Sequence, residues 1–277
     1  MWYASLGDTG MYMLGSIHVL SEDFYPLPDF IEEISRRADV LVLEADVSDE
    51  SFQSPEIIRK IQETGFYHDG RGIEDFISDN DYQHLLVSAE RAGLNRYQIS
   101  LMKPWLLALT LQTLELENLG YRGNLGMEKV ISGRFSGEKL LELEGTEYQL
   151  ELMAGLSDEE QIELLLSVLE DSEGMEDSLR LYVRAWKEAD PGLIEAELDT
   201  RGLSGEITRR FLDRRNENMV DKAVNILRSE TRSGEERVIL LLAGAAHFVG
   251  DSGIPALMEQ QGIHVRQVDS SGGFFFR

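Results

Sequence analysis

"RVILLLAGAAHFVG", Arg237–Gly250, is an apolar run that stops at a glycine and then presents a histidine. A run this short, without polar alternation, reads as a strand buried on both faces. Such strands belong to parallel sheets covered by helices on either side. Near the other end of the chain, "MYMLGSIHVL", Met11–Leu20, repeats the arrangement. Both segments contain G-x-x-H where the apolar run ends. A glycine at each strand end is expected to let the backbone turn tightly and present His18 and His247 to a shared site.

The remaining segments fit that frame. Tyr3–Leu6 and Met11–Leu14, joined by "GDTG", predict a β-hairpin. "DVLVLEAD" at Asp39–Asp46 and "KLLELEG" at Lys139–Gly145 read as two further buried strands. Helical patterns cover Phe30–Ala38, Pro55–Thr64, Asp81–Ala92 and Pro104–Leu119. Thr146 and Gln149 have the spacing of a capping box. From about residue 146 to 230 the chain looks mostly helical, with breaks near Asp171–Gly174, Asp190–Gly192 and Gly202–Gly205. Strand, helix and strand close it at Arg237–Ala243, Ile254–Gln261 and Ile263–Val268. Strands alternating with helices predict one α/β domain over residues 1–277, with a mainly parallel central sheet and a helix-rich insertion or cap.

Composition narrows the function. With 26 Lys and Arg against 51 Asp and Glu, the formal charge is −25, which disfavours nucleic acid and anionic membrane surfaces as partners. Cysteine is absent, so a metal would be held by His, Asp or Glu. No stretch approaches the ~18 apolar residues that span a bilayer, so no membrane insertion is expected. The start, "MWYASLGDTGMYM", lacks the basic and apolar regions of a signal peptide. A cytoplasmic protein is expected from the chain as it stands, or an exported one if a leader has been removed.

Open α/β sheets place ligands beyond the carboxyl ends of their strands. Four polar residues fall there: His18 after the second strand, Glu44 closing "VLVLE", Glu144 closing "LLELE", and His247. Any one alone is an ordinary loop residue; four at equivalent positions mark a candidate site. Two helices add to it. In "RFLDRRNENMVDKAVNIL" the inward stripe Leu212, Met219, Ala223 and Ile226 carries Arg215, with Asn216 beside it. In "GNLGMEKVISGRF" Glu128 shares a face with Leu125, Ile131 and Phe135. A buried guanidinium and a buried carboxylate need partners, and a structural ion pair between them is one solution. Lys103, before the helix in "KPWLLALTL", is a candidate anion contact.

With both G-x-x-H motifs in hand, the sequence resembles the TraB/GumN family, which includes the animal Tiki proteases. The resemblance runs nearly end to end. It rests on "GSIHVL", "VLEAD", "KPW", "GMEKVI", "LLELEG", "RRN" and above all "AGAAHFVGDSGIPALMEQQGIHV", Ala243–Val265. It implies an α/β fold with both histidines in one active site. Tiki-like members are divalent-metal-dependent peptidases, supported by manganese or cobalt. Other relatives are linked to inhibition of signalling peptides or to polysaccharide gene clusters, and remoter ones resemble erythromycin esterases that hydrolyse without metal. The H-E-x-x-H helix of common zinc peptidases is missing, so any peptidase chemistry uses the family's own geometry.

The expectation is a metal-dependent hydrolase of peptide bonds acting on a peptide or small molecule. His18, Glu44 and His247 would bind manganese, cobalt or zinc. Glu128 or Glu144 would be the general base, and Arg215 would stabilise the oxyanion or hold a substrate carboxylate. Lys103 and Asn216 are candidate substrate contacts. Two rivals stand beside this reading: a metal-free hydrolase with histidine as base, and a non-catalytic peptide- or ligand-binding module.

Overall fold

The computed structural model describes residues 1–46, 48, 51, 53–171, 174–200 and 205–268. Six strands are described: β1 (Trp2–Leu6), β2 (Thr9–Ser16), β3 (Val40–Leu43), β4 (Lys139–Glu142), β5 (Arg237–Gly244) and β6 (Val265–Gln267). They form one sheet in the order β4-β3-β5-β2-β1-β6. β2, β5, β3 and β4 run parallel, while β1 is antiparallel to both β2 and β6. The chain is α/β with a mixed, mostly parallel sheet, as expected.

Helices cover both faces. On one side α12 (Arg214–Thr231) lays Met219, Val220, Ala223, Val224 and Leu227 against Met11, Met13, Val42 and Leu241, and α13 (Ile254–Gln260) adds Ile254 and Met258. On the other side α1 (Asp29–Arg37) and α6 (Met127–Arg134) pack Ile31, Ile34, Met127 and Ile131 against Leu14, Leu41, Leu43 and Leu242. Alternate residues of β2, β3 and β5 thus feed opposite cores, which is why these strands carry no polar alternation.

A third core lies apart from the sheet. It joins α3 (Asp79–Arg91), α4 (Arg96–Leu101), α5 (Pro104–Asn118) and α8 (Asp158–Asp171) through Leu85, Ile99, Leu107, Leu111 and Leu165. α2 (Pro55–Thr64) packs on α7 (Thr146–Ala154), while α9 (Met175–Lys187) and α10 (Pro191–Thr200) form a pair. The helix-rich layer therefore draws on residues before 146, and α12 belongs to the sheet, not to the cap. The break predicted at Asp190–Gly192 lies slightly earlier: Glu188–Asp190 separate α9 from α10, and Pro191 and Gly192 open α10. Most of the predicted breaks at Asp171–Gly174 and Gly202–Gly205 lies outside the described residues.

Three expectations change. The hairpin turns on Gly7 and Asp8 alone, because Leu6 pairs with Thr9, and Gly7 has a φ of +55°. β4 is an edge strand, largely exposed, with Leu140 47% accessible; its two leucines imitate a buried strand. Thr146 is not a cap. Gly145 precedes the helix, the Thr146 hydroxyl donates to the Asp46 carbonyl, and Gln149 reaches into the candidate site.

Candidate functional site

Register brings the four strand-end residues together. Ser16 at the end of β2 stands opposite Gly244 at the end of β5. One residue beyond β3 and two beyond β4, the Glu44 N–H donates to the Leu242 carbonyl and the Glu144 N–H to the Glu44 carbonyl. His18, Glu44, Glu144 and His247 thus lie along one carboxyl-terminal sheet edge, where such folds place ligands.

Each histidine is oriented by a buried partner. His18 Nδ1 lies 2.7 Å from Glu128 Oε1, and Glu128 also accepts from the Ser16 hydroxyl. His247 Nδ1 lies 2.6 Å from Asn216 Oδ1, while the Asn216 amide donates to the Ser252 carbonyl at 2.8 Å. An amide nitrogen spent on a carbonyl leaves its oxygen facing the ring, so His247 Nδ1 carries the proton and donates. In both residues Nε2 is the nitrogen left to act. His247 Nε2 stands 3.7 Å from Glu44 Oε2.

Glu44 is held from three sides. Its Oε1 accepts from Gln149 at 2.7 Å and from Arg215, and its Oε2 accepts from the Gly244 N–H at 2.8 Å. Arg215 also grips Glu144 through Nε at 3.0 Å and Nη2 at 2.6 Å, and donates to the Phe211 carbonyl at 3.1 Å. The phenylalanine belongs to a π-helical turn, Arg209–Asp213, that leads into α12. Arg215 therefore pairs with Glu44 and Glu144, while Glu128 pairs with His18. The direct Glu128–Arg215 pair considered from sequence does not form.

Both motif glycines have a steric role. Neither Gly15 nor Gly244 adopts a positive φ. A Cβ on Gly244 would lie 2.9 Å from His18 Nε2 and 3.5 Å from Glu44 Oε2. One on Gly15 would lie 2.9 Å from the Ala245 backbone. Close approach, not a tight turn, requires glycine here. Gly126 does the same beneath the His18 carbonyl, where a Cβ would fall at 2.2 Å.

The electrostatics separate the two imidazoles. The adjacent Glu128 carboxylate raises His18 to about 9, outweighing desolvation, although the ring is 58% exposed in the cleft wall. Burial lowers His247 to about 4, so it is neutral at ordinary pH. Burial pushes Glu44 up, but His247, His18, Arg215 and the Gly244 N–H together bring it down to about 2. Burial likewise opposes ionisation of Glu128, and His18 and Ser16 hold it below the usual range.

Two cavities meet at this edge. One of about 490 Å³ and one of about 870 Å³ share His18, Val19, Glu44 and Thr113. Arg215 and His247 line the first, and Glu128 and Gln149 the second. Lys103 lines neither; it precedes α5, and its N–H donates to the Gly65 carbonyl. Asn216 lies behind His247 instead of facing the cleft. Ser16 and Gln149 are site residues that sequence reasoning passed over. The first lay in plain view inside "GSIH", and the second was masked by its capping spacing.

The match to known proteins agrees with this architecture. The model of the TraB/PrgY/gumN family matches residues 1–267. The chain belongs to the TraB/PrgY/gumN family. Two curated relatives are each 28% identical over 156 residues: the uncharacterized protein YbaP of Escherichia coli (strain K12) and that of Shigella flexneri. The alignment covers 55% of this chain and 54% of YbaP, about half of each. No solved structure matches. In this TraB/PrgY/gumN chain, no helix of the described residues is long and apolar enough to cross a membrane.

The donor set suits a divalent ion in its chemistry. Two imidazole nitrogens, each on a ring engaged through Nδ1, and a carboxylate whose Oε2 accepts one N–H lie around Gly244. Among the described residues no group of three His, Asp or Glu is already gathered as a metal cage.

Proposed function

We propose that this chain is a divalent-metal-dependent hydrolase of peptide-type carbonyls, with His18, Glu44 and His247 holding the ion. One observation carries the reading: both histidines have Nδ1 tied to a buried acceptor, which leaves both Nε2 atoms free beside Glu44, His247 Nε2 at 3.7 Å from Glu44 Oε2 and His18 Nε2 next to it around Gly244. The peptide bond as substrate follows the resemblance to Tiki-like peptidases. Manganese, cobalt or zinc suits imidazole and carboxylate donors. When bound, such an ion supplies Lewis acidity, acidifying water and polarising a carbonyl.

The chain's own residues do the rest. Glu128 fixes the His18 ring and Asn216 the His247 ring. Arg215, Gln149 and the Gly244 N–H hold Glu44 ionised. Both carboxylates expected as base are engaged: Glu144 is clamped by Arg215, and Glu128 accepts from His18 and Ser16. In this reading both are positioning residues, and Arg215, in the wall of the first cavity, orients Glu44.

A second reading, metal-free hydrolysis, is favoured by the divergent basicities. His247, neutral with a free Nε2, can take a proton from water, and protonated His18 can give one to the leaving group. Paired groups pushed apart in pKa are a common acid–base assignment. The test is metal analysis of protein purified without chelator, then cleavage of a broad peptide library with and without exhaustive chelation. Activity lost on chelation and restored by manganese, cobalt or zinc supports the first reading. Activity surviving chelation transfers the assignment to the histidine pair. A protein that binds peptides and cleaves none is a binding module.

A further inference from the structure

The two cavities that meet at His18 and Glu44 differ in character. The 490 Å³ arm runs beneath the helical layer, between α5, α8, α9, α10 and the π-turn before α12. Leu109, Leu116, Val168, Leu179, Leu198 and Phe211 line it. Of these only Val168 is buried; the others remain partly or largely accessible. Apolar side chains from five separate segments therefore face one wet space. The other arm carries more polar side chains, among them Asn118, Tyr121, Arg122, Asn124 and Gln149, beside Val19 and Ala45.

A folded chain gains by closing apolar side chains on one another, and in the neighbouring helical core Leu85, Ile99, Leu107 and Leu111 do so fully. Leaving several of them wetted around a concavity of ligand size marks a binding surface. This arm opens directly onto His247, Arg215 and Gly244, so whatever fills it lies beside the reactive edge.

We infer that the substrate is a peptide of split polarity: a large apolar side chain next to the reacting carbonyl enters the Leu179–Phe211 arm, and a polar segment runs into the Asn124 arm. The inference rests on the proposed hydrolase reading for the reacting carbonyl, but the apolar preference is read from binding alone. Water leaving the arm supplies the affinity, and the other arm disfavours a second apolar segment because groups such as Arg122 and Asn124 would lose hydrogen bonds to water.

The probes are three acetylated, amidated hexapeptides: three leucines then three serines, the reverse order, and six serines. Binding to the full chain is followed by isothermal titration calorimetry, and cleavage by mass spectrometry. At least one mixed peptide is expected to bind ten- to a hundredfold tighter than the all-serine peptide, the range that small apolar differences achieve in a pocket. Its heat-capacity change on binding is expected to be negative. Leu179→Lys on α9 and Leu116→Asn on α5 should each remove most of that advantage while leaving the melting temperature near wild type. Equal binding of all three peptides overturns the inference, as does an unchanged advantage in both variants once each is seen to be folded. Tight binding of a mixed peptide without cleavage keeps the inference and removes the hydrolase reading. Cleavage of all three at equal rates does the opposite.

Discussion

Replacing Arg215 with glutamine tests the centre of the site. The Arg215, Glu44 and Glu144 side chains are 9, 7 and 3% exposed, so the triad is nearly dry. Arg215→Gln keeps part of the side chain but leaves two carboxylates facing each other without their cation. Breaking a buried pair in this way costs about 3–5 kcal/mol, because the stranded charge keeps its desolvation penalty. At about 2–4 °C per kcal/mol for a domain of comparable size, the melting temperature should fall by roughly 6–20 °C. Thermal and urea unfolding near neutral pH, with two spectroscopic probes to check two-state behaviour, would measure it. The double variant Arg215→Gln/Glu144→Gln removes one stranded charge and should recover part of the loss, giving a coupling of at least about 1 kcal/mol. A fall of less than about 2 °C, or strictly additive single effects, would refute a buried triad and return Arg215 to direct contact with substrate.

Gly244→Ala should cut activity about a hundredfold with little change in stability, because its Cβ would lie 2.9 Å from His18 Nε2 and displace an accessible ring; turnover and melting temperature measured together decide it. His18, raised to about 9, contributes stability that is complete below about 6.5 and lost as pH rises through 9. His247, lowered to about 4, contributes stability present above about 6.5 and lost between there and 4, and Glu44 adds a further loss as pH falls toward 2. Melting temperature should therefore be highest near pH 6.5, and Glu128→Gln should flatten its alkaline fall; an unchanged alkaline limb in that variant contradicts the His18–Glu128 pairing. Metal binding must displace the His18 proton, so affinity should rise about tenfold per pH unit up to about 9. Calorimetry in buffers of different ionisation heat would detect that proton, and its absence would remove His18 from the ligand set.

The sequence by itself determined which segments form the inner strands of the parallel sheet. Continuous apolar runs at Val40–Leu43 and Val238–Ala243 have one plausible burial, between two helical layers, and a strand that ends in a covered sheet exposes the next polar residue at its edge. The α/β class and the meeting of His18, Glu44, Glu144 and His247 were legible for that reason. The inward stripe of α12 likewise announced Arg215 as buried, since helical period alone fixes a face.

Which groups pair there was decided by tertiary structure. The sequence could name Glu128 and Arg215 as needing partners, but they stand on different layers and each found another. Gln149 obeyed a local capping pattern and was taken instead by Glu44, 105 residues away along the chain. Gly15 and Gly244 looked like turn residues because any glycine permits a turn; only the neighbouring Ala245 backbone and the His18 ring reveal that space was the constraint. β4 shows the same limit from the other side. Its leucines satisfied the pattern of a buried strand, but position at a sheet edge is a property of strand order, and strand order is set by contacts distant in sequence.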